Sequence, residues 1–252
     1  VKFKNKKVQG ERRVYILLNK PKGYLTTVSD DRERKTVMEL VNTVKDARIY
    51  PVGRLDYDSE GLILMTNDGA LTNKLTHPKF GHLKEYRVLV ARRPDEEQLS
   101  TWRRGVVLED GDKTAPADVT FISSSGKGAW IRVIMGEGKK RQIREVGKLL
   151  GLPVVKIIRL RIGTLKLGNL KPRQWRHLTE DEVKELKGEK IPADGRSERP
   201  YVKRLHPTDR PKRPPKTGTG TRQVDRSRGE RSSTKEKPDQ KPRTKRPVRR
   251  AG

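Results

Sequence analysis

Cysteine is absent from the 252-residue chain, which excludes a disulfide-stapled secreted fold, thiolate zinc sites and a cysteine nucleophile. Histidine is scarce: there are four, with no HExxH-type spacing, so a metal hydrolase lacks its ligand set. Hydrophobic residues make up only 31% of the chain and aromatics 5%. No stretch approaches the roughly 20 apolar residues that a bilayer crossing needs. Negative charge is also in short supply, since 32 Asp and Glu face 60 Lys and Arg, for a net charge of +28. A charge of that size points to a polyanionic partner, either nucleic acid or an anionic membrane surface.

Half of this charge, +14, sits in residues 196–252, where 20 basic side chains meet 6 acidic ones. The same segment holds half of the prolines and a single aromatic, Tyr201. It has too little apolar surface to offset the entropy of ordering its backbone, so residues 191–252 are expected to be a disordered, basic, Pro-rich tail. Such a tail serves either as a salt-sensitive phosphate tether or as a solubilising extension. At the other end the chain starts at Val1 with Lys2, Lys4, Lys6 and Lys7 and has no signal-peptide core. Residues 1–11 are read as a linker remnant of a longer protein, which leaves residues 12–190 as one folded domain of ordinary size.

Within that domain Val14–Asn19 is an apolar β-type run stopped by Lys20-Pro21-Lys22-Gly23. Tyr24–Val28 is expected to form a second strand, and Thr36–Val44 a short helix capped by Thr36. Strands are further expected at 61–66, 85–90, 119–122, 130–135 and 154–167, with a Ser/Gly loop over 123–128. Helices are expected at 68–77, 95–104, 141–150 and 179–186; Asp95 favours the second, and Thr179 with Glu182 fits a capping box for the last. Strands and helices mix without strict βαβ alternation, so the fold class is α+β.

The densest chemistry lies in Gly53-Arg54-Leu55-Asp56-Tyr57-Asp58-Ser59-Glu60-Gly61. A calcium loop beginning at Asp56 is excluded, because Asn67 stands where the bidentate Glu must be and apolar Leu62, Leu64 and Met65 fall where ligands or a helix should begin. A glycosidase-like carboxylate pair and an Asp-rich surface turn both remain open on spacing alone, although the basic composition favours a nucleic acid over a neutral glycan.

The motif Gly53-Arg54-Leu55-Asp56, continued through Gly61-Leu62 to Thr66-Asn67-Asp68-Gly69, resembles the catalytic motif of the RNA pseudouridine synthases. The likeness is to the RsuA/RluB branch, which modifies ribosomal RNA. Four further segments resemble family motifs in the family's order. They are Leu18–Tyr24, Lys84-Glu85-Tyr86, Gly138–Arg144 and Ile157–Gly163. The likeness covers about residues 14–187. It departs from the branch in two ways: the N-terminal alpha-L RNA-binding module is missing, which is read as truncation, and Ile157 stands where Leu is usual.

The resemblance implies a pseudouridine synthase fold, a mixed, largely antiparallel sheet with helices around a central cleft. It also implies a reaction that needs no cofactor and no metal. It assigns Asp56 as the catalytic carboxylate, acting as nucleophile or base. Arg144 is expected to pair with Asp56, holding it charged and oriented through a forked hydrogen bond. Tyr86 is expected to stack on the uracil once it has left the RNA stack, and to relay a proton. Arg54 either binds phosphate or supports the turn, and Lys20, Lys22, Lys140 and Arg141 are candidate phosphate contacts. Ile157 forms an apolar wall, while Asp58, Glu60 and Asp68 are read as structural. The implied partner is ribosomal RNA, the 23S molecule preferred over the 16S, for a monomeric cytoplasmic enzyme that needs no membrane. The rival is a non-catalytic ribosome-binding or assembly protein on the same fold.

Overall fold

A computed structural model describes residues 11–42, 44 and 47–189, and the backbone of residues 2–3 and 6–7. The expected tail lies outside the described residues. β1 (Lys2–Phe3) and β2 (Lys6–Lys7) pair only with each other, antiparallel. The remaining strands are β3 (Tyr15–Lys20), β4 (Tyr50–Val52), β5 (Glu60–Thr66), β6 (Lys84–Val90), β7 (Asp118–Ser125), β8 (Gly128–Met135), β9 (Val154–Ile162), β10 (Leu165–Lys166) and β11 (Trp175–His177). They form one nine-stranded mixed sheet in the order β11-β3-β5-β9-β6-β8-β7, with β10 added to β9 and β4 to β5. Among the described residues the α-helices are α1 (Gly69–Thr76), α2 (Glu96–Arg104), α3 (Gln142–Leu149) and α4 (Glu180–Lys187). The result is the expected α+β class.

Burial explains the pattern of the strands. Ile16, Leu17 and Leu18 of β3 and Leu62 to Met65 of β5 are wholly buried. Leu17, Leu62 and Leu64 join Leu71, Leu75 and Leu186 of α1 and α4 on one side. Ile16, Leu18, Ile63 and Met65 meet Val37 and Val41 on the other. Strands covered on both faces read as unbroken apolar runs, and each such Leu or Ile contributes about 1.5–3 kcal/mol. β6 and β8 instead alternate, their buried residues packing on Leu99 and Trp102 of α2 and Ile143 and Val146 of α3.

The caps follow the sequence closely. Asp68, Asp95 and Thr179 each accept from a backbone N–H in the first turn of α1, α2 and α4. Three expectations need correction. Tyr24–Val28 is not a strand: Leu25 makes a lone bridge to Thr36 and no neighbouring strand extends the ladder. Thr36 does begin a helix, but a short 3-10 turn over Val37–Leu40. The Ser/Gly loop shrinks to a two-residue turn, because β7 runs on to Ser125 and β8 starts at Gly128.

One junction sets the place of the acidic turn. β5 enters the sheet parallel to β9, with Glu60 beside Ile158 and Gly61 beside Arg159. Gly61 has φ +108°, and a Cβ there would lie 2.3 Å from the Arg159 carbonyl oxygen. Only glycine permits that approach. The residues just before it, 53–59, therefore emerge at the N-terminal end of β9, beside β6 and the start of α3.

Candidate active site

The acidic loop is held from below by two buried cations. Lys20, at the end of β3, is wholly buried. Its ammonium donates to the carbonyl oxygens of Ser59 (2.7 Å), Asp56 (3.0 Å), Pro21 (3.2 Å) and Tyr57 (3.4 Å). Burial lowers its pKa to about 8, against the opposing pull of Asp56, Asp58 and Glu60. The assignment of Lys20 as a phosphate contact is therefore corrected: its charge is spent inside the protein, on the backbone of the loop. Arg159 of β9, also buried, donates through Nε to the Leu62 carbonyl (2.8 Å) and through Nη1 to the Arg54 carbonyl (3.2 Å). Sequence reasoning missed this residue, since Arg-Leu-Arg in an alternating strand looks like a wet edge. Thr26 Oγ1 donates to the Leu55 carbonyl (2.8 Å), and the Gly23 N–H to that of Tyr57 (2.8 Å). Backbone carbonyls are thus turned inward, and the side chains of Asp56 and Asp58 project outward.

Above the loop lie the first residues of α3. Arg141 adopts a left-handed conformation, φ +50°, immediately before the helix. This turns its side chain over the two carboxylates: its guanidinium lies 3.4 Å from both oxygens of Asp58 and 3.8 Å from Asp56 Oδ2. Arg144, one turn on, is bound to Asp58 Oδ2 at 3.0 Å and donates to the Val154 carbonyl at 3.1 Å. The expected Arg144–Asp56 pair is therefore not the one formed. Arg144 holds Asp58, and Arg141 is the cation that reaches Asp56. Burial pushes the Asp58 carboxyl up, but hydrogen bonds from Arg141 and the charges of Arg144 and Arg141 outweigh it and keep it below the usual range. Asp58, read from the sequence as structural, is the residue that links both arginines to the loop.

Asp56 is left with no direct hydrogen bond to its carboxylate among the described residues, and its side chain remains one-third exposed. It lines an open cleft together with Arg54, Tyr86, Arg141, Ile143 and Ile157. Tyr86 is 7% exposed and stands on β6 opposite Arg159 of β9. Ile157, 4% exposed, adds an apolar wall. Five residues named from the sequence thus meet at one cleft: Asp56, Tyr86, Arg54, Arg141 and Ile157. Lys22 and Lys140 are exposed and make no ion pair among the described residues. Among those residues no cluster of His, Asp or Glu could hold a metal ion.

A floor with a carboxylate at one side, an aromatic and an aliphatic wall, and arginines at the mouth fits a planar uracil attached to a phosphate chain. Comparison with known proteins agrees. The family profile of RNA pseudouridylate synthase matches residues 14–147, which include the acidic loop, Tyr86, Arg141 and Arg144. The Bacillus subtilis protein named ribosomal large subunit pseudouridine synthase B is 42% identical over 183 residues, covering 72% of this chain and 74% of its own. An Aquifex aeolicus protein described as an uncharacterized RNA pseudouridine synthase is 37% identical over 187 residues, 74% of each chain. A crystal structure of a pseudouridylate synthase superposes with a TM-score of 0.63 at 29% identity, over 70% of this chain and 74% of that one. On the fold, the cleft and these likenesses, the chain belongs to the RNA pseudouridylate synthase family.

Proposed function

We propose that the enzyme converts one uridine of large-subunit ribosomal RNA to pseudouridine, with Asp56 as the catalytic carboxylate. In this reaction the bond from uracil N1 to ribose C1′ breaks, the base turns, and C5 joins C1′. N1 gains a proton and C5 loses one, so the balance needs no redox partner. The observation that carries the reading is the unsatisfied, outward-facing carboxylate of Asp56 at the rim of a cleft walled by Tyr86 and Ile157.

An ionised carboxylate can trap the electron-poor sugar or base, or accept a proton, as the bond breaks. The Arg141 guanidinium stands 3.8 Å from Asp56 Oδ2 and leaves the other carboxylate oxygen open. Arg144 acts one step back, through Asp58, by keeping the loop rigid. Tyr86 provides a ring for the extruded base, which recovers part of the few kcal/mol lost on unstacking. Arg54, Lys22 and Lys140 serve the RNA backbone, and the tail adds salt-sensitive attachment. The large-subunit target rests on relatives named for that subunit. Action as a monomer in the cytoplasm, where ribosomal RNA is processed, completes the proposal.

The test is to map pseudouridine across both ribosomal RNAs with and without the gene, and to follow tritium release from carbon-5-labelled transcripts in vitro. Asp56→Asn is expected to lower release by on the order of 10³-fold or more while RNA binding is kept. Wild-type binding without any tritium release would instead make the protein a non-catalytic ribosome binder.

A further inference from the structure

Tyr57 follows Asp56 directly, yet it does not line the cleft, and half of its surface is exposed. It is a large, half-exposed aromatic ring one residue from Asp56. Among the described residues its hydroxyl makes no hydrogen bond and its ring joins no aromatic or cation–π pair. Its backbone, by contrast, is fixed. The Tyr57 carbonyl accepts from the Gly23 N–H at 2.8 Å and from Lys20 Nζ at 3.4 Å. The ring lies towards the Lys20–Gly23 turn, its hydroxyl 3.9 Å from where a Cβ on Gly23 would stand. Lys22, in that same turn, is exposed and makes no ion pair among the described residues.

An isolated exposed aromatic needs no explanation on an ordinary surface. This one is attached to a loop immobilised by buried cations, one residue from the catalytic carboxylate. A rigid ring costs little further entropy on binding, and every base offers a π-face to it. When the target uridine leaves the RNA stack, the nucleotide beside it loses a stacking partner at the mouth of the cleft.

We propose that Tyr57 is a substrate-positioning residue whose ring stacks on the base adjacent to the target uridine, replacing the neighbour that the flipped uridine removes. This rests on the reading of Asp56 as the catalytic residue, but the ring makes a separate contact, with a different nucleotide. It predicts a recognition of single-stranded or opened RNA next to the target that tolerates any base identity.

The experiment compares wild type with Tyr57→Ala, Tyr57→Phe and Tyr57→Trp. Binding to a nine-residue oligouridylate is measured over a range of salt, and kcat and KM are measured by tritium release from the large-subunit transcript. Loss of one base–aromatic stack predicts binding about five- to a hundredfold weaker for Tyr57→Ala. KM should rise in step and kcat should hold, while Phe and Trp stay within about twofold of wild type. The salt slope should be the same for all four proteins, since no charge is removed. Three results would overturn the proposal: Ala binding like wild type, Phe as weak as Ala, or a loss confined to kcat. If wild type releases no tritium, the proposed function fails by itself, and the oligouridylate series still decides the stacking role.

Discussion

The acidic loop is gripped by cations on two sides, and the two grips differ in kind. Below it Lys20 and Arg159 are buried, and they meet only backbone carbonyls. Above it Arg141 and Arg144 are more open to solvent and meet carboxylates. A buried ammonium with four carbonyl oxygens around it has no reason to exchange partners with an incoming phosphate. A half-exposed guanidinium 3.4 Å from its partner does, because solvent and substrate compete for it at little cost. The lower grip is scaffold, and of the upper pair Arg141 is the cation open to exchange while the less exposed Arg144 stays with Asp58.

Breaking the lower side should have the largest effect on stability. Gly61→Ala would put a Cβ 2.3 Å from the Arg159 carbonyl at a left-handed φ. About 3 kcal/mol of stability should be lost, together with activity, in denaturant titration and tritium release. Lys20→Met should come next, at about 2–3 kcal/mol, because the loop carbonyls lose their donor.

The pH dependence of that second variant sharpens the comparison. Lys20 has a folded pKa of about 8, against an ordinary value of 10.5. Between those values the unfolded chain binds more protons than the folded one, so wild-type stability gains from Lys20 as pH rises from 8 to 10.5. Below pH 8 the cost of burying the charge is present in full. The stability gap between wild type and Lys20→Met should therefore widen on the alkaline side, and a gap independent of pH would show that the ammonium is not held as described.

The upper side should behave oppositely. Arg141→Ala is expected to change stability by less than about 1 kcal/mol, since its ion pairs are exposed. It should weaken RNA binding and reduce the salt slope by about one. A drop in melting temperature as large as that of Lys20→Met would erase the distinction between the two grips.

Much of this arrangement could be read along the chain. The i, i+4 pair Leu71 and Leu75, the acidic start at Asp95 and the capping box of Thr179 and Glu182 announced three helices, because each signal links residues within one turn. The apolar runs of β3 and β5 announced strands, and the structure shows why they are unbroken: both faces are covered. The motifs that hold Asp56, Tyr86 and Arg144 do come together, although Arg141 and not Arg144 lines the cleft. The short strands β4 and β11 were not legible, since three residues carry no period and depend on β5 and β3 for their ladders. Tyr24–Val28 failed for the converse reason, having strand-like residues and no partner. Lys20 and Arg159 misled because sequence records a charge but not its burial.

Composition-level features were legible along the chain: a basic excess that calls for a polyanionic partner, an α+β class, one acidic motif in a basic background and no cysteine. Those follow from residue types and short-range spacing. Only the tertiary structure decided which cation meets which oxygen. Lys20 and Asp56 are 36 residues apart and Arg144 and Asp58 are 86 apart. Whether a charge is spent on carbonyls in the interior or offered to RNA at the surface depends on burial, and burial depends on how distant segments pack.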